Sequence, residues 1–238
     1  MDMADKRLNG VWRTGGGEET WWTGLSAADF DAKNRDLFAR NMRITDLETN
    51  GGFTAVWHPG TDGQVVWYGL SWPDFVRRND ECLHEGLRLV SLRVDDTRHA
   101  AVWRTGSGDQ QILRTHSVDE LLAADDQHFA AGLRIATMVQ DVDQEAYYGV
   151  WRADLGTGAQ FVHRGLSDAG FSAEDARQNA AGLRLVQITS IQGLTGIWRT
   201  GSDGCAWAYQ EPYDDFVALE NKHTSAGLRL VNLSVGFV

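Results

Sequence analysis

An arginine that returns at one position of a repeated segment is the first residue with a capacity for chemistry. It stands in the run Gly86–Val90 (GLRLV) and in four similar runs. Five guanidinium groups that converge on one point would form an anion site, because guanidinium presents a planar set of donors. The alternative is that each arginine pairs with a polar residue of its own copy and has a structural role. We call these residues the strand arginines: Arg43, Arg88, Arg134, Arg184 and Arg229.

A polar residue on each predicted helix is the partner that we expect for the strand arginine. It stands eight residues after the predicted helix N-cap, between apolar or aromatic residues four positions away on either side in most copies, so it lies on an apolar helix face. A buried polar group needs a hydrogen-bonding partner, which favours the structural pair over the anion site. We call this the helix acceptor position: Asn34, Asn79, Asp125, Asp175 and Glu220.

Aromatic residues that do not recur are the candidates for ligand binding. They lie around the second strand and the helix start of each copy, where the copies differ, and repeat proteins often carry function at such variable positions. An exposed tryptophan or tyrosine can stack on a sugar ring or anchor a protein partner, whereas the alternative is partial burial. The candidates are Trp21, Trp22, Trp67, Tyr68, Trp72, Trp207 and Tyr209.

One tryptophan recurs in every copy, and we expect it to pack in the core because it keeps one fixed position. These motif tryptophans are Trp12, Trp57, Trp103, Trp151 and Trp198. The residue after each one points the opposite way along a strand, and we expect a row of solvated charges there. That row is Arg13, His58, Arg104, Arg152 and Arg199.

No catalytic or metal-ligating pattern stands out. No His-x-x-x-His or Cys-x-x-Cys pair occurs, so we expect neither a metal site nor a cofactor. His116, His163 and Cys205 break the repeat, and an enzyme with one central, asymmetric site would use them. Catalytic carboxylates would have to converge across a cleft, which a sequence does not show.

Composition excludes some classes of partner. A net charge of −11 argues against nucleic acid, which needs clustered Lys and Arg. No run approaches the ~20 apolar residues of a membrane span. No secretory signal follows Met1, so we expect a cytoplasmic protein or a mature secreted fragment, with Cys82 and Cys205 reduced. The oligomeric state stays open.

The elements that position these residues form five copies of one unit. In each copy a motif-tryptophan run and a second β-like run flank a glycine turn, which predicts a hairpin. A capped helix follows and ends 15 residues after its cap at Asn41 or a glycine. A third strand, largely apolar on both faces, is predicted to be interior. We expect one domain over 1–238, with modules at about 8–52, 53–98, 99–146, 147–193 and 194–238.

The two ends of the chain complement each other. The chain opens with a hairpin that lacks a preceding third strand, and it closes on a third strand, 228–238, that lacks a hairpin. The fold class predicted is therefore α+β: five ββαβ repeats closed into a ring, similar to an α/β-propeller, with the C-terminal strand completing the first module. An open solenoid is the alternative.

The recurring pattern VWRTG…GLS…DF…GLRLV resembles the bacterial tandem repeat of polyglycine hydrolase-like proteins, over essentially the whole chain. In that family the repeats accompany a serine hydrolase domain, whose Ser-x-x-Lys motif is missing here. We therefore predict a non-enzymatic, multivalent, lectin-like module that binds a glycan or a protein surface. The alternatives are an accessory module that positions a separate serine hydrolase, and a hydrolase with one central site.

Overall fold

The structure, a computed structural model, describes residues 6–237, over which the chain folds into five α-helices, one short 3-10 helix (Ala153–Leu155) and fifteen strands. The helices are α1 (Ala27–Ala39), α2 (Trp72–His84), α3 (Val118–Ala130), α4 (Asp168–Ala180) and α5 (Tyr213–Ser225). The strands are β1 (Lys6–Thr14), β2 (Thr20–Leu25), β3 (Met42–Glu48), β4 (Phe53–Pro59), β5 (Gln64–Leu70), β6 (Leu87–Asp95), β7 (Arg98–Thr105), β8 (Gln110–Thr115), β9 (Arg134–Asp141), β10 (Ala146–Arg152), β11 (Gln160–Leu166), β12 (Leu183–Ser190), β13 (Leu194–Thr200), β14 (Cys205–Pro212) and β15 (Leu228–Phe237).

The described strands form five antiparallel sheets of three strands each. Their orders are β2-β4-β3, β5-β7-β6, β8-β10-β9, β11-β13-β12 and β14-β1-β15. One helix stands between the first and second strands of each sheet along the chain, apart from the sheet that joins the chain ends. The prediction of a repetitive α+β protein is confirmed.

The chain divides into two compact units. Unit 1 consists of residues 6–60 and 159–237, and it holds the sheets β2-β4-β3, β11-β13-β12 and β14-β1-β15. Unit 2 consists of residues 61–158, and it holds the sheets β5-β7-β6 and β8-β10-β9.

The predicted hairpin around the glycine turn is wrong. β4 carries Trp57, which pairs with Thr20 of β2 on one side and with Ile44 of β3 on the other. The glycine segment after a motif tryptophan therefore leads out of one sheet toward the next. The reason is burial: Ala55, Val56 and Trp57 are at most 1% exposed, so this strand takes the middle position of its sheet.

The prediction of an interior third strand is also wrong, because β6 pairs only with β7 and lies at the edge of its sheet. The edge of β6 that does not pair with β7 still lies beside another sheet of the same unit. In unit 2, β6 packs beside β9, and in unit 1, β15 packs beside β3 and β12. A strand can thus be buried on both faces without being central.

The first and last described strands are neighbours, in agreement with the expected complementarity of the chain ends. β1 lies between β14 and β15, with Trp12 opposite Ala206 on one side and opposite Leu230 on the other. The pairing with β15 extends from Lys6↔Phe237 to Thr14↔Leu228.

Helix ends follow the sequence signals. Ser26, Ser71, Ser117 and Ser167 each accept a hydrogen bond from the backbone N–H three residues later. The cap of α4 forms although Gly170 stands where α1, α2 and α3 have an acidic residue. Each helix is followed by a residue with positive φ, Asn41 or a glycine, which is the left-handed position expected after a helix.

Candidate functional site

The motif tryptophans are fully buried, and each donates its indole N–H to the helix acceptor position. The Nε1 atoms of Trp57 and Trp103 lie 3.2 Å and 3.1 Å from the Oδ1 atoms of Asn34 and Asn79. Trp151, Trp198 and Trp12 donate in the same way to Asp125, Asp175 and Glu220. The predicted pairing of this position with the strand arginine is therefore wrong. A buried indole has one donor, and the polar residue on the facing helix accepts it.

The strand arginines instead bind backbone carbonyl groups. In Arg134, Nη1 lies 3.3 Å from Phe129 O at the end of α3 and 2.7 Å from Leu133 O, and Nε lies 2.6 Å from Gly158 O. Carbonyls in the last helical turn lack intrahelical partners and carry partial negative charge. Each strand arginine thus ties the helix end to its strand, and four also bind the glycine segment: Arg88, Arg134, Arg184 and Arg229.

Three of the residues that follow the motif tryptophans form ion pairs with aspartate where a row of solvated charges was expected: Arg13, Arg104 and Arg152. Arg13 contacts both carboxylate oxygens of Asp203, and Arg104 does the same with Asp62 at 2.9 Å and 2.7 Å. Both aspartates lie just before the outer strand of the same sheet. Bidentate geometry fixes the orientation of such a pair, so in these two sheets the middle strand is held to the segment that precedes an outer strand.

Two of the seven aromatic candidates are exposed. Trp22 on β2 is 44% exposed, and Trp67 on β5 is 40% exposed. Trp21 packs edge-on against Phe216, and Trp207 packs against Phe171. The candidates that are half-buried are Trp21, Tyr68, Trp72, Trp207 and Tyr209.

The two exposed tryptophans occupy the same position, four residues before the helix cap, and each has a cation over its ring. Lys33 Nζ lies 4.0 Å from the centroid of Trp22, and Arg78 Cζ lies 4.3 Å from the centroid of Trp67. A cation over an aromatic face is attracted by the ring quadrupole, so both rings are held in place. Arg78 Nη1 is in turn 2.6 Å from Glu81 Oε2.

The residues suggested for an asymmetric enzyme are engaged elsewhere. Burial, and then the charge of Asp175, raise the pKa of Cys205 to about 11, so its thiol is protonated at neutral pH and is a poor nucleophile. His163 Nδ1 lies 3.0 Å from Glu174 Oε2, and His116 is exposed, with Nδ1 3.3 Å from Glu145 O. Within residues 6–237 no group of three or more His, Cys, Asp or Glu side chains is arranged to hold a metal ion.

A carboxyl pair in unit 1 was not anticipated. Burial, and then the hydrogen bond with Glu19, raise the pKa of Glu220 to about 7. Burial also acts to raise the pKa of Glu19, but hydrogen bonds from His58, Glu220, Thr224 and the Leu230 N–H outweigh it, and that pKa falls. The pair therefore shares one proton near neutral pH. The sequence contained one signal of this pair: Glu220 is the only glutamate at the helix acceptor position, where the other copies have Asn or Asp.

A buried polar residue on the third strand was also missed. In each copy it comes directly after the residue that corresponds to Val90, and it is at most 5% exposed: Asp46, Ser91, Thr137, Gln187 and Asn232. In unit 1, Asp46 Oδ2 lies 2.8 Å from Asn232 Nδ2, and Asn232 Oδ1 lies 3.1 Å from Ile188 N. This network joins β3, β15 and β12. A polar residue that recurs in an apolar strand was visible in the sequence.

Comparison with known families agrees with this architecture. Residues 20–60 and 61–105 match the family described as the polyglycine hydrolase-like structural repeat. Residues 20–105 carry two repeats of that family. The first match covers β2-α1-β3-β4 and the second covers β5-α2-β6-β7, so each family repeat equals one sheet with its helix. The resemblance seen in the sequence is confirmed over residues 20–105. The matched repeats begin at residues 20 and 61, whereas the predicted modules began at about residues 8 and 53.

A search of curated proteins found no match to the chain. The five α-helices in the described part of this repeat protein have 13 residues each, and no helix there is long and apolar enough to cross a membrane.

Proposed function

We propose that this repeat protein is a non-enzymatic binding module whose exposed tryptophans stack on the sugar rings of a glycan. The observation that carries the proposal is the pair Trp22 and Trp67, which lie at the same repeat position and expose about two fifths of their surface. The negative face of an indole suits the C–H face of a sugar.

The small number of exposed apolar side chains supports a glycan over a protein partner, since only five large hydrophobic residues are exposed in the described part of the chain. A stable protein interface needs a large contiguous patch with several buried anchors. A sugar ring needs one aromatic face with polar groups around it. Cation contacts hold both indoles in place, which lowers the ordering cost of binding.

A repetitive ligand would gain from repeated sites. When two modules bind one polysaccharide chain, the second contact is intramolecular and the apparent affinity rises without new contacts. This multivalence distinguishes a tandem-repeat module from a single-site lectin.

The test is a glycan array followed by titration of the best ligand against variants. Trp22→Ala and Trp67→Ala each remove one platform, and we expect each to weaken binding about tenfold, which is about 1.4 kcal/mol. The double variant should abolish measurable binding. Phe129→Ala is the matched control, since Phe129 is 38% exposed with Arg134 over its ring but lies at the end of α3.

An array on which the intact protein binds no glycan would contradict the proposal. So would a double variant with unchanged affinity.

We also propose that the five modules form one domain closed into a ring, similar to an α/β-propeller. Support comes from β1, which takes the middle of a sheet whose other strands come from the end of the chain. Small-angle scattering tests this: a compact 238-residue body has a radius of gyration of about 18 Å. A clearly larger radius in a monomer would favour an open solenoid.

The alternative function is an accessory module that positions a separate serine hydrolase, and the family description favours it. Fusing the chain to such a hydrolase tests this. A rise in turnover of a polymeric substrate that persists in the double tryptophan variant would support positioning over glycan binding.

A further inference from the structure

Four side chains in unit 2 each keep a buried polar atom without a hydrogen-bond partner, and one of them, Arg78 Nε, lies on α2. The other three atoms lie on strands: His99 Nε2 on β7, Arg114 Nε on β8 and Asp141 Oδ2 on β9. His99 is 2% exposed and Asp141 is 4% exposed. A buried polar atom without a partner costs about 1–3 kcal/mol, so three on adjacent elements call for a common explanation.

The three side chains belong to one cluster around Tyr148. The rings of His99 and Tyr148 meet edge to face with centroids 5.3 Å apart. Arg114 lies directly opposite Tyr148 in the ladder between β8 and β10, and it forms a hydrogen bond to the phenol. The charges of both Arg114 and Asp141 act on His99. Four strands therefore direct polar groups toward one buried region.

The tautomer of His99 follows from its second nitrogen. Nδ1 lies 3.1 Å from the carbonyl oxygen of Leu70, which can only accept, so Nδ1 carries the proton. Burial lowers the pKa of His99, and the ring is neutral at pH 7. Nε2 is then a bare acceptor, as is Asp141 Oδ2, while Arg114 Nε is a donor.

The occupant that complements these atoms donates two hydrogen bonds and accepts one. A cation would suit the two acceptors but would be repelled by Arg114, and an anion would suit Arg114 but would be repelled by Asp141. Water is the smallest neutral molecule with this capacity, and buried waters typically make about three hydrogen bonds. We propose that unit 2 holds an internal water site formed by His99, Arg114 and Asp141.

Comparison with unit 1 explains how one copy acquired this site. Phe53 stands four residues before its motif tryptophan and stacks on Phe30 with centroids 4.6 Å apart. His99 stands at the same position and stacks on Phe75 at 5.5 Å. The imidazole keeps the stacking contact and adds an acceptor.

β8 differs from the other strands that precede a helix. Gly24, Gly69 and Gly165 have positive φ two residues before the helix cap, and the pairing register shifts there. Thr115 occupies this position in β8, and the ladder with β10 continues without a shift. A regular ladder places Arg114 beside Tyr148.

A crystal structure at a resolution that shows ordered water tests the site directly. We expect a water molecule within about 3.2 Å of His99 Nε2 and of at least one of Arg114 Nε and Asp141 Oδ2. Density for no water there, or anomalous scattering from a bound halide or metal ion, would overturn the proposal.

A stability measurement gives a second readout at pH 8. His99→Phe would displace the water and leave Arg114 and Asp141 unpartnered, so the Tm should fall by about 4 °C or more. An equal or higher Tm would overturn the proposal, because phenylalanine would then simply replace an unsatisfied acceptor. His128→Phe is the control, since His128 packs at a tilt against Trp151, with ring centroids 4.6 Å apart, outside this cluster, and its Tm should stay close to that of the unaltered protein.

Discussion

Units 1 and 2 use the same repeat, but each buries a different titratable group that its other copies lack. In unit 1, burial raises the pKa of Glu220 to about 7, and in unit 2, burial lowers the pKa of His99. Both shifts disfavour the charged form. They have opposite consequences, since the stability that depends on Glu220 is lost as the pH rises and the stability that depends on His99 is lost as the pH falls.

The difference shows which parts of the repeat can vary. The indole-to-helix hydrogen bond and the arginine contacts to the helix end occur in both units. These contacts hold the helix on its sheet, so neighbouring positions can change their chemistry. In unit 1 the change is at the residue that accepts the indole hydrogen bond, which is Glu220. In unit 2 it is at the residue that stacks on a helix phenylalanine, which is His99 on Phe75.

The largest expected effect comes from removing one indole donor in each unit. Trp12→Phe leaves Glu220 with Glu19 beside it and without its indole partner, so it should cost about 3–4 kcal/mol at pH 8. Trp103→Phe should cost about 1–2 kcal/mol, because Asn79 Oδ1 keeps a hydrogen bond from Gln110 at 2.8 Å. Denaturant unfolding at pH 8 measures both. Equal losses of stability in the two variants would mean that the pair Glu19 and Glu220 does not raise the cost of removing the indole donor.

A smaller effect is expected from Glu220→Gln, which keeps an acceptor for Trp12 but cannot ionise. The folded pKa of Glu220 lies above the ordinary value, so folding takes up a proton and stability falls as pH rises from about 4.5 through about 7. The variant should therefore gain about 2–3 kcal/mol over the natural sequence at pH 8 and much less at pH 5. If the difference in the free energy of unfolding between the two proteins were the same at every pH, Glu220 would have the same pKa in the folded and unfolded chain.

The smallest effect is the pH dependence of His99→Phe in unit 2. The folded pKa of His99 lies below 6.5, so the stability that it contributes is present above pH 6.5 and is lost as the pH falls. The Tm deficit of the variant at pH 8 should shrink as the pH is lowered from 7 to 5. A deficit that is constant with pH would mean that His99 titrates alike in the folded and unfolded chain.

Much of the local structure was predictable, whereas strand pairing was not. The helix caps at Ser26 and Ser71 and the left-handed residues Asn41 and Gly86 follow from short-range steric and hydrogen-bonding rules. The hairpin prediction failed because a glycine-rich segment permits a tight turn and a crossing between sheets equally well.

The candidate site was predicted only in part. Trp22 and Trp67 are exposed, but Trp21 and Trp207 pack against aromatic residues of α5 and α4. All four stand on strands that precede a helix, and the two half-buried rings differ in that a helix residue, Phe216 or Phe171, packs against them. The carboxyl pair Glu19 and Glu220 is separated by most of the chain, so its members do not identify each other in the sequence.

By itself, the sequence determined the number of copies, the helix bounds and the fully buried tryptophans, since these depend on periodicity and on residues close together in the chain. Only the tertiary structure decided which strand lies in the middle of each sheet, which group accepts each indole proton and which titratable side chains meet. Those outcomes depend on contacts between distant segments, where several partners satisfy the same local pattern and packing selects one.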